Sequence, residues 1–279
     1  MKNMYCQSLT ADIIVRYLRV LGIPGREPSR DALTDLVAAH VKRIPFENIS
    51  KLYYKKHLGL RSIPGAELFL EGIERYNLGG TCYTANYYLN LLLGHLGYEV
   101  RLCGADMANP DVHMVSMVTV DGREYLVDAG YAAPFLAPLP RDLTKDHVVA
   151  LGRDRYVLKP QDEEGRSRLE FYRDGQLKHG YVAKPTARSI EYFDSVIVDS
   201  FADHATFMNA LLLVRFLSSN RSSVIHNLEL IESHGTESRI DRIDNREELV
   251  RVVERHFEIP RTIVAEALAD LGQFQDAWN

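Results

Sequence analysis

The sequence predicts an α+β protein in three stretches: an N-terminal helical bundle (1–97), a central β-barrel-like region (98–188) and a C-terminal α/β lid (189–279). Three observations carry this reading. Over the first hundred residues, apolar positions recur at helical spacing between capping residues and glycine stops. From Tyr98 onward the period shortens to that of strands, with Asp-Gly turn signals at Asp121-Gly122 and Asp174-Gly175. After Ser189 the two patterns mix. Helices, then strands, then a mixed unit imply α+β rather than alternating α/β.

Ser8 or Thr10 caps a first helix in which Ile13, Ile14, Tyr17, Leu18 and Leu21 share one face, and Gly22 ends it. Ser29 caps a second helix carrying Leu33, Leu36, Val37 and Val41, stopped by Pro45. A third runs from about Pro64 to Tyr76, with proline near its first turn. A fourth begins near Cys82, passes Leu89, Leu92, Leu93 and Leu96, and ends at Gly97. Tyr98 to Cys103 reads as a strand. His113 to Val120 and Arg123 to Gly130 flank Asp121-Gly122 as a hairpin, and short strands surround Tyr156 and Leu169. A helix is expected near Ser189 to Asp199, strands over Phe207 to Leu217 and Ser223 to Ile231, and closing helices over Asn245 to Phe257 and Thr262 to Leu271. There is no internal repeat.

Composition narrows the function classes. The chain has 279 residues, 46% hydrophobic and 25% charged, which are ordinary globular values. A net charge of -5 without a basic stripe argues against nucleic-acid binding. Apolar runs such as Ala210 to Val214 are too short to span a bilayer. The opening Met1 to Cys6 has no apolar signal core. The expectation is a soluble, cytoplasmic protein. Its three cysteines, Cys6, Cys82 and Cys103, are too few and too far apart for a disulfide framework or a cysteine zinc site.

Free cysteines ordinarily behave as small hydrophobes, so position decides which one is chemical. Cys82 follows Gly79-Gly80 where a helix is expected to start. Glycines permit a sharp turn and close approach to a ligand. A helix N-terminus favours a thiolate, and its unpaired N–H groups suit an oxyanion. The hairpin supplies the partners. A two-residue turn at Asp121-Gly122 sets Val120 opposite Arg123 and Val115 opposite Asp128. His113 then shares a face with Asp128, as a diagonal neighbour about 7–8 Å away at the backbone. An aspartate ending a strand beside a histidine is suited to fix its tautomer, which gives a nucleophile–base–orienter set of Cys82, His113 and Asp128. The remaining histidines lack such an arrangement. No H-E-x-x-H, phosphate-binding G-x-x-x-x-G-K-[ST] or dinucleotide-binding G-x-G-x-x-G occurs, and no metal is expected.

These residues resemble the arylamine N-acetyltransferase family. Pro45-Phe46-Glu47-Asn48 is similar to its P-F-E-N segment. Gly79-Gly80-Thr81-Cys82-Tyr83, with Asn86, is similar to its R-G-G-x-C-x-E-x-N nucleophile motif. Val127-Asp128-Ala129-Gly130-Tyr131, with His113 upstream, is similar to its V-D-x-G-[FY] block. The resemblance implies a cysteine-protease-like core and ping-pong chemistry: acetyl-CoA as co-substrate acylates Cys82, and an arylamine, hydrazine or related amine attacks the thioester. It implies that Phe46 and Tyr131 line the acceptor pocket, and that Gly130 and Tyr131, opening the segment to Pro134, lie near the CoA pyrophosphate. Two positions depart from the motif: Leu78 stands for the usual Arg and Thr84 for the usual Glu. Without that arginine, Glu47 is expected to find another partner, Arg75 or solvent. Other readings are an amide synthase, another cysteine-dependent acyl-transfer enzyme or hydrolase, and a non-catalytic binding protein of the same fold.

Overall fold

The computed structural model describes residues 8–276; Cys6 and the start of the chain lie outside them. Helices α1 (Ala11–Leu21), α2 (Arg30–Arg43), α3 (Ile49–Leu58), α4 (Ala66–Tyr76) and α5 (Cys82–His95) fill the N-terminal part, with a two-residue strand β1 (Phe46–Glu47) between α2 and α3. Thr10 rather than Ser8 caps α1, accepting from the Ile13 N–H, and Ser29 caps α2 through Ala32. α3 and β1 had no expectation. Pro45 does stop α2, but the chain resumes a helix only a few residues later, where Asn48 to Ser50 gives no clear apolar period.

Next come β2 (Glu99–Asp106), β3 (His113–Val120), β4 (Arg123–Val127), β5 (Leu139–Pro140), β6 (His147–Leu151), β7 (Asp154–Leu158), β8 (Ser167–Arg173) and β9 (Gln176–Ala187). They form one eight-stranded sheet in the order β5-β4-β3-β2-β9-β8-β7-β6. The sheet curls: Val115, Leu126 and Leu139 from one end share a buried cluster with Leu158, Leu169 and Phe171 from the other. The β3–β4 register is the one the turn predicted, Val120 opposite Arg123 through Ser116 opposite Val127. Asp121 and Gly122 both have positive φ (52° and 71°), the backbone a two-residue hairpin with native twist needs. The strand expected to reach Gly130 ends at Val127, so Asp128 lies just beyond the ladder.

A 3₁₀ turn (Ile190–Phe193) leads into α6 (Asp194–Asp199), followed by α7 (Thr206–Asn209), β10 (Leu212–Ser218), β11 (Arg221–His226), β12 (Glu229–His234), β13 (Glu237–Arg242), α8 (Arg246–Phe257) and α9 (Arg261–Leu268). Two expectations need correction. Phe207 to Asn209 is a helical turn, and the strand starts only at Leu212. Ser223 to Ile231 is two strands, because Asn227 takes a positive φ of 54° and reverses the chain. These strands form a second sheet in the order β1-β10-β11-β12-β13, with Phe46 opposite Val214. One core joins the helices to this sheet: Leu33, Leu70 and Leu92 belong to the same buried cluster as Leu213, Phe257 and Val264. Among the described residues no helix is long and apolar enough to cross a membrane.

Candidate active site

α5 carries the site because its polar residues lie at helical spacing on one face. Tyr83, Asn86 and Asn90 sit one turn apart, and each bonds toward the start or interior of β3. The Tyr83 hydroxyl donates to the Val112 carbonyl at 2.8 Å, Asn86 Nδ2 to the Met114 carbonyl at 2.6 Å, and Asn90 Nδ2 to Ser116 Oγ at 3.0 Å. This seam lays the first turn of α5 beside the first residue of β3. Cys82 is that first helical residue and His113 that first strand residue. The N-cap Thr81 makes no side-chain capping bond to the first-turn N–H groups of α5.

Cys82, His113 and Asp128 come together. His113 Nε2 meets Asp128 Oδ2 at 2.9 Å, with both side chains almost fully buried. Cys82 is partly exposed and within hydrogen-bonding reach of His113. With Nε2 engaged by the carboxylate, Nδ1 is the ring nitrogen left to face sulfur. Burial alone would lower the His113 pKa. The Asp128 charge and hydrogen bond, with help from Cys82, outweigh it and push the value up to about 10. Burial likewise opposes ionisation of Asp128. Its bonds to His113, Asn86 and the Gly130 N–H prevail and hold the carboxyl below its usual range. Cys103 is the contrast: fully buried on the curled sheet, its thiol is pushed up to about 11 by desolvation.

Asn86 is the hinge pin of this arrangement, and reasoning from residue types alone did not single it out. Nδ2 donates to Asp128 Oδ1 at 2.8 Å, and Oδ1 accepts from the Ala129 N–H at 2.8 Å. The Gly130 N–H donates to the same Asp128 Oδ1 at 3.0 Å. Asp128 therefore accepts from three directions, which fixes its orientation although it lies off the ladder. The signal in the sequence was spacing: Asn86 lies one helical turn after Cys82.

The P-F-E-N and Gly-Gly segments interlock. Glu47 is fully buried and, instead of Arg75 or water, takes backbone amides: Oε1 accepts from Gly80 N–H at 2.7 Å and Oε2 from Ser50 N–H at 2.8 Å. Arg75 pairs with Glu71 on its own helix. Desolvation raises the Glu47 pKa and these bonds oppose the rise. Gly79 is required by contact, since a Cβ there would lie 2.0 Å from the Pro45 carbonyl oxygen. Asn48 Nδ2 donates to the Phe207 and Ala210 carbonyls and Oδ1 accepts from Leu212 N–H, tying this corner to the second sheet.

Phe46 is buried in β1, with its ring edge-on to Phe207 at 5.5 Å. Tyr131 lies edge-on to His113, ring centres 5.8 Å apart, and its hydroxyl bonds His179 Nδ1 at 2.8 Å. Tyr181 covers another side of the imidazole at 5.1 Å. Gly130 packs onto the start of α5: a Cβ there would stand 2.6 Å from Cys82 Cα. Pro134 lines a narrow cleft between the curled sheet and the second sheet. Among the described residues no group of three His, Cys, Asp or Glu side chains has metal-binding geometry.

A curled sheet and a helix N-terminus bring cysteine, histidine and aspartate together in one place. A family model described as N-acetyltransferase matches residues 30–264. Human (Homo sapiens) arylamine N-acetyltransferase 2 is 32% identical over 238 residues, 72% of this chain and 80% of that protein. Human arylamine N-acetyltransferase 1 is 29% identical over 140 residues, 47% of each chain. The chain thus spans about half the length of that relative. The Mycobacterium marinum arylamine N-acetyltransferase, solved in complex with CoA, superposes with a TM-score of 0.74 at 20% identity, covering 93% of this chain and 100% of that one. The Nocardia farcinica enzyme gives 0.74 at 23%, covering 92% and 94%. The chain belongs to the arylamine N-acetyltransferase family.

Proposed function

We propose that this protein moves an acetyl group from acetyl-CoA, through a thioester on Cys82, to an arylamine, hydrazine or related amine. The buried His113–Asp128 pair beside a partly exposed cysteine at a helix N-terminus carries this reading. The Cys82 sulfur attacks the acetyl carbonyl with its proton held on His113. The tetrahedral oxyanion is met by first-turn N–H groups of α5. The carbon–sulfur bond to CoA breaks and CoA leaves with a proton from the imidazolium. The amine then attacks the Cys82 thioester, His113 takes the proton it sheds, and the amide departs as Cys82 regains its sulfur electron pair. Asp128 holds the tautomer throughout.

In this reading Phe46 and Tyr131 bound the acceptor space, and Gly130 and Tyr131 open the loop that leads toward CoA. Residues 1–97 supply the nucleophile, 98–188 the base and its orienter, and 189–279 a cover. Two free thiols, Cys82 and Cys103, suit a reducing, cytoplasmic compartment.

Steady-state kinetics with acetyl-CoA and a hydrazine or aniline test the order of events. Parallel double-reciprocal lines and acetyl-CoA-dependent turnover are expected. Intersecting lines would remove the thioester intermediate, and hydrolysis of the acyl donor at an unchanged rate without amine would favour a hydrolase.

A further inference from the structure

The two departures from the family motif meet in one cavity. A narrow cleft opens beside the start of α5, and Leu78 and Thr84 both line it, with Thr81, Ser50, Tyr54 and Lys51. Lys51 is the unusual member. It is only 7% exposed, and no carboxylate lies in salt-bridge range of it among the described residues. Its ammonium donates to Ser200 Oγ at 2.6 Å and lies 4.1 Å from the centre of the Phe201 ring. An ammonium has three donors, and Ser200 takes one. Glu47, the buried carboxylate of this region, has each of its oxygens committed to a backbone amide.

A buried cation without an anion is costly, and burial lowers the Lys51 pKa to about 8. The sulfur of Cys82 acts against that lowering, and Thr81 and Tyr83, which flank Cys82, line the same cleft. Building a long, charged side chain into an apolar cleft and leaving it unpaired makes sense when the anion arrives with a ligand. We propose that this cleft is the subsite for a carboxylate carried by the substrate, with Lys51 as its receptor and Leu78 and Thr84 as the small neighbours that leave room for it. The proposal rests on the acyl-transfer reading of Cys82. The carboxylate can enter on the acyl group or on the amine, and the chemistry at Lys51 is the same.

Calorimetric binding to the full-length Cys82→Ala protein separates the two sources. One arm compares 4-aminobenzoate with 4-aminobenzamide; the other compares succinyl-CoA with butyryl-CoA, which share the same phosphates. The charged member of one pair is expected to bind at least about tenfold tighter, and Lys51→Met to erase that preference while Lys51→Arg keeps much of it. Thr84→Glu, which sets a carboxylate into the cleft, is expected to erase it as well, and gives the answer if Lys51→Met fails to fold. Equal binding within both pairs, or a preference that survives in Lys51→Met or Thr84→Glu, overturns the proposal. Since binding is read without turnover, failure of Cys82 to become acylated in the wild type would remove the transfer reading while leaving this result to stand by itself.

Discussion

Asp128→Asn alters the site by one charge and almost no volume. In the native protein Asp128 Oδ1 accepts from Asn86 and Gly130, and Oδ2 pairs with His113 Nε2. An asparagine can keep its oxygen toward Asn86 and Gly130. Its NH₂ then points at His113 Nε2 and forces the ring to carry its proton on Nδ1, the nitrogen that must receive the proton from Cys82. The charge that offsets desolvation of the imidazolium is lost too, so burial weighs more heavily and the His113 pKa falls from about 10. A wrong tautomer in such a triad costs about 10³- to 10⁴-fold in rate, roughly 4–5.5 kcal/mol of barrier. Folding should suffer less, by about 1–3 kcal/mol for one charged hydrogen bond. Stopped-flow acylation of Cys82 by acetyl-CoA and an NMR titration of His113 read both effects. An acylation rate within a few-fold of wild type would remove Asp128 from the mechanism.

Three further outcomes follow from the same contacts. Gly130→Ala should slow acylation and lower stability by about 1–3 kcal/mol, measured by denaturant unfolding, because the new Cβ meets Cys82 backbone at 2.6 Å and neither element is a flexible side-chain tip. Glu47→Gln turns an NH₂ onto a backbone N–H of Gly80 or Ser50, and should cost about 1–3 kcal/mol in the same measurement; unchanged stability would show that those bonds are not formed. His40 is buried and His179 half-buried, with pKa values lowered to about 3 and about 4 by desolvation. The unfolded chain binds their protons first, so the stability they leave intact above pH of about 6.5 is lost as the pH falls toward 4. Thermal unfolding across that window should show the decline, and His40→Leu should flatten part of it; an identical acid limb in the variant would contradict the assignment.

How much of this was legible in the sequence differs from residue to residue. The Asp121-Gly122 turn fixed a register in which His113 and Asp128 share a face, and the structure has that register, because a two-residue turn with both φ positive leaves the flanking strands no freedom to slip. The caps Thr10 and Ser29 and the stop at Gly22 were local signals with local causes. The pairing of Phe46 with Val214 joins segments far apart in the chain, and no local pattern encodes it. The strands after residue 220 alternate weakly, since Leu228 fills a turn position with an apolar side chain and hides the break at Asn227. In the site, residue chemistry suggested Cys82, His113 and Asp128, but not that Asn86 would brace Asp128, nor that Glu47 would replace an arginine partner with backbone amides. Both depend on close approach of two motifs, which only the folded chain supplies.

The most direct test of the central claim is intact mass spectrometry of the protein after brief exposure to acetyl-CoA, with Cys82→Ala alongside. The account predicts one acetyl group on the wild type, mapped to Cys82 and lost on addition of an arylamine or hydrazine, and none on the variant. A wild-type protein with Cys82 shown to be reduced and still carrying no acetyl group, or an adduct that persists in Cys82→Ala, would contradict it.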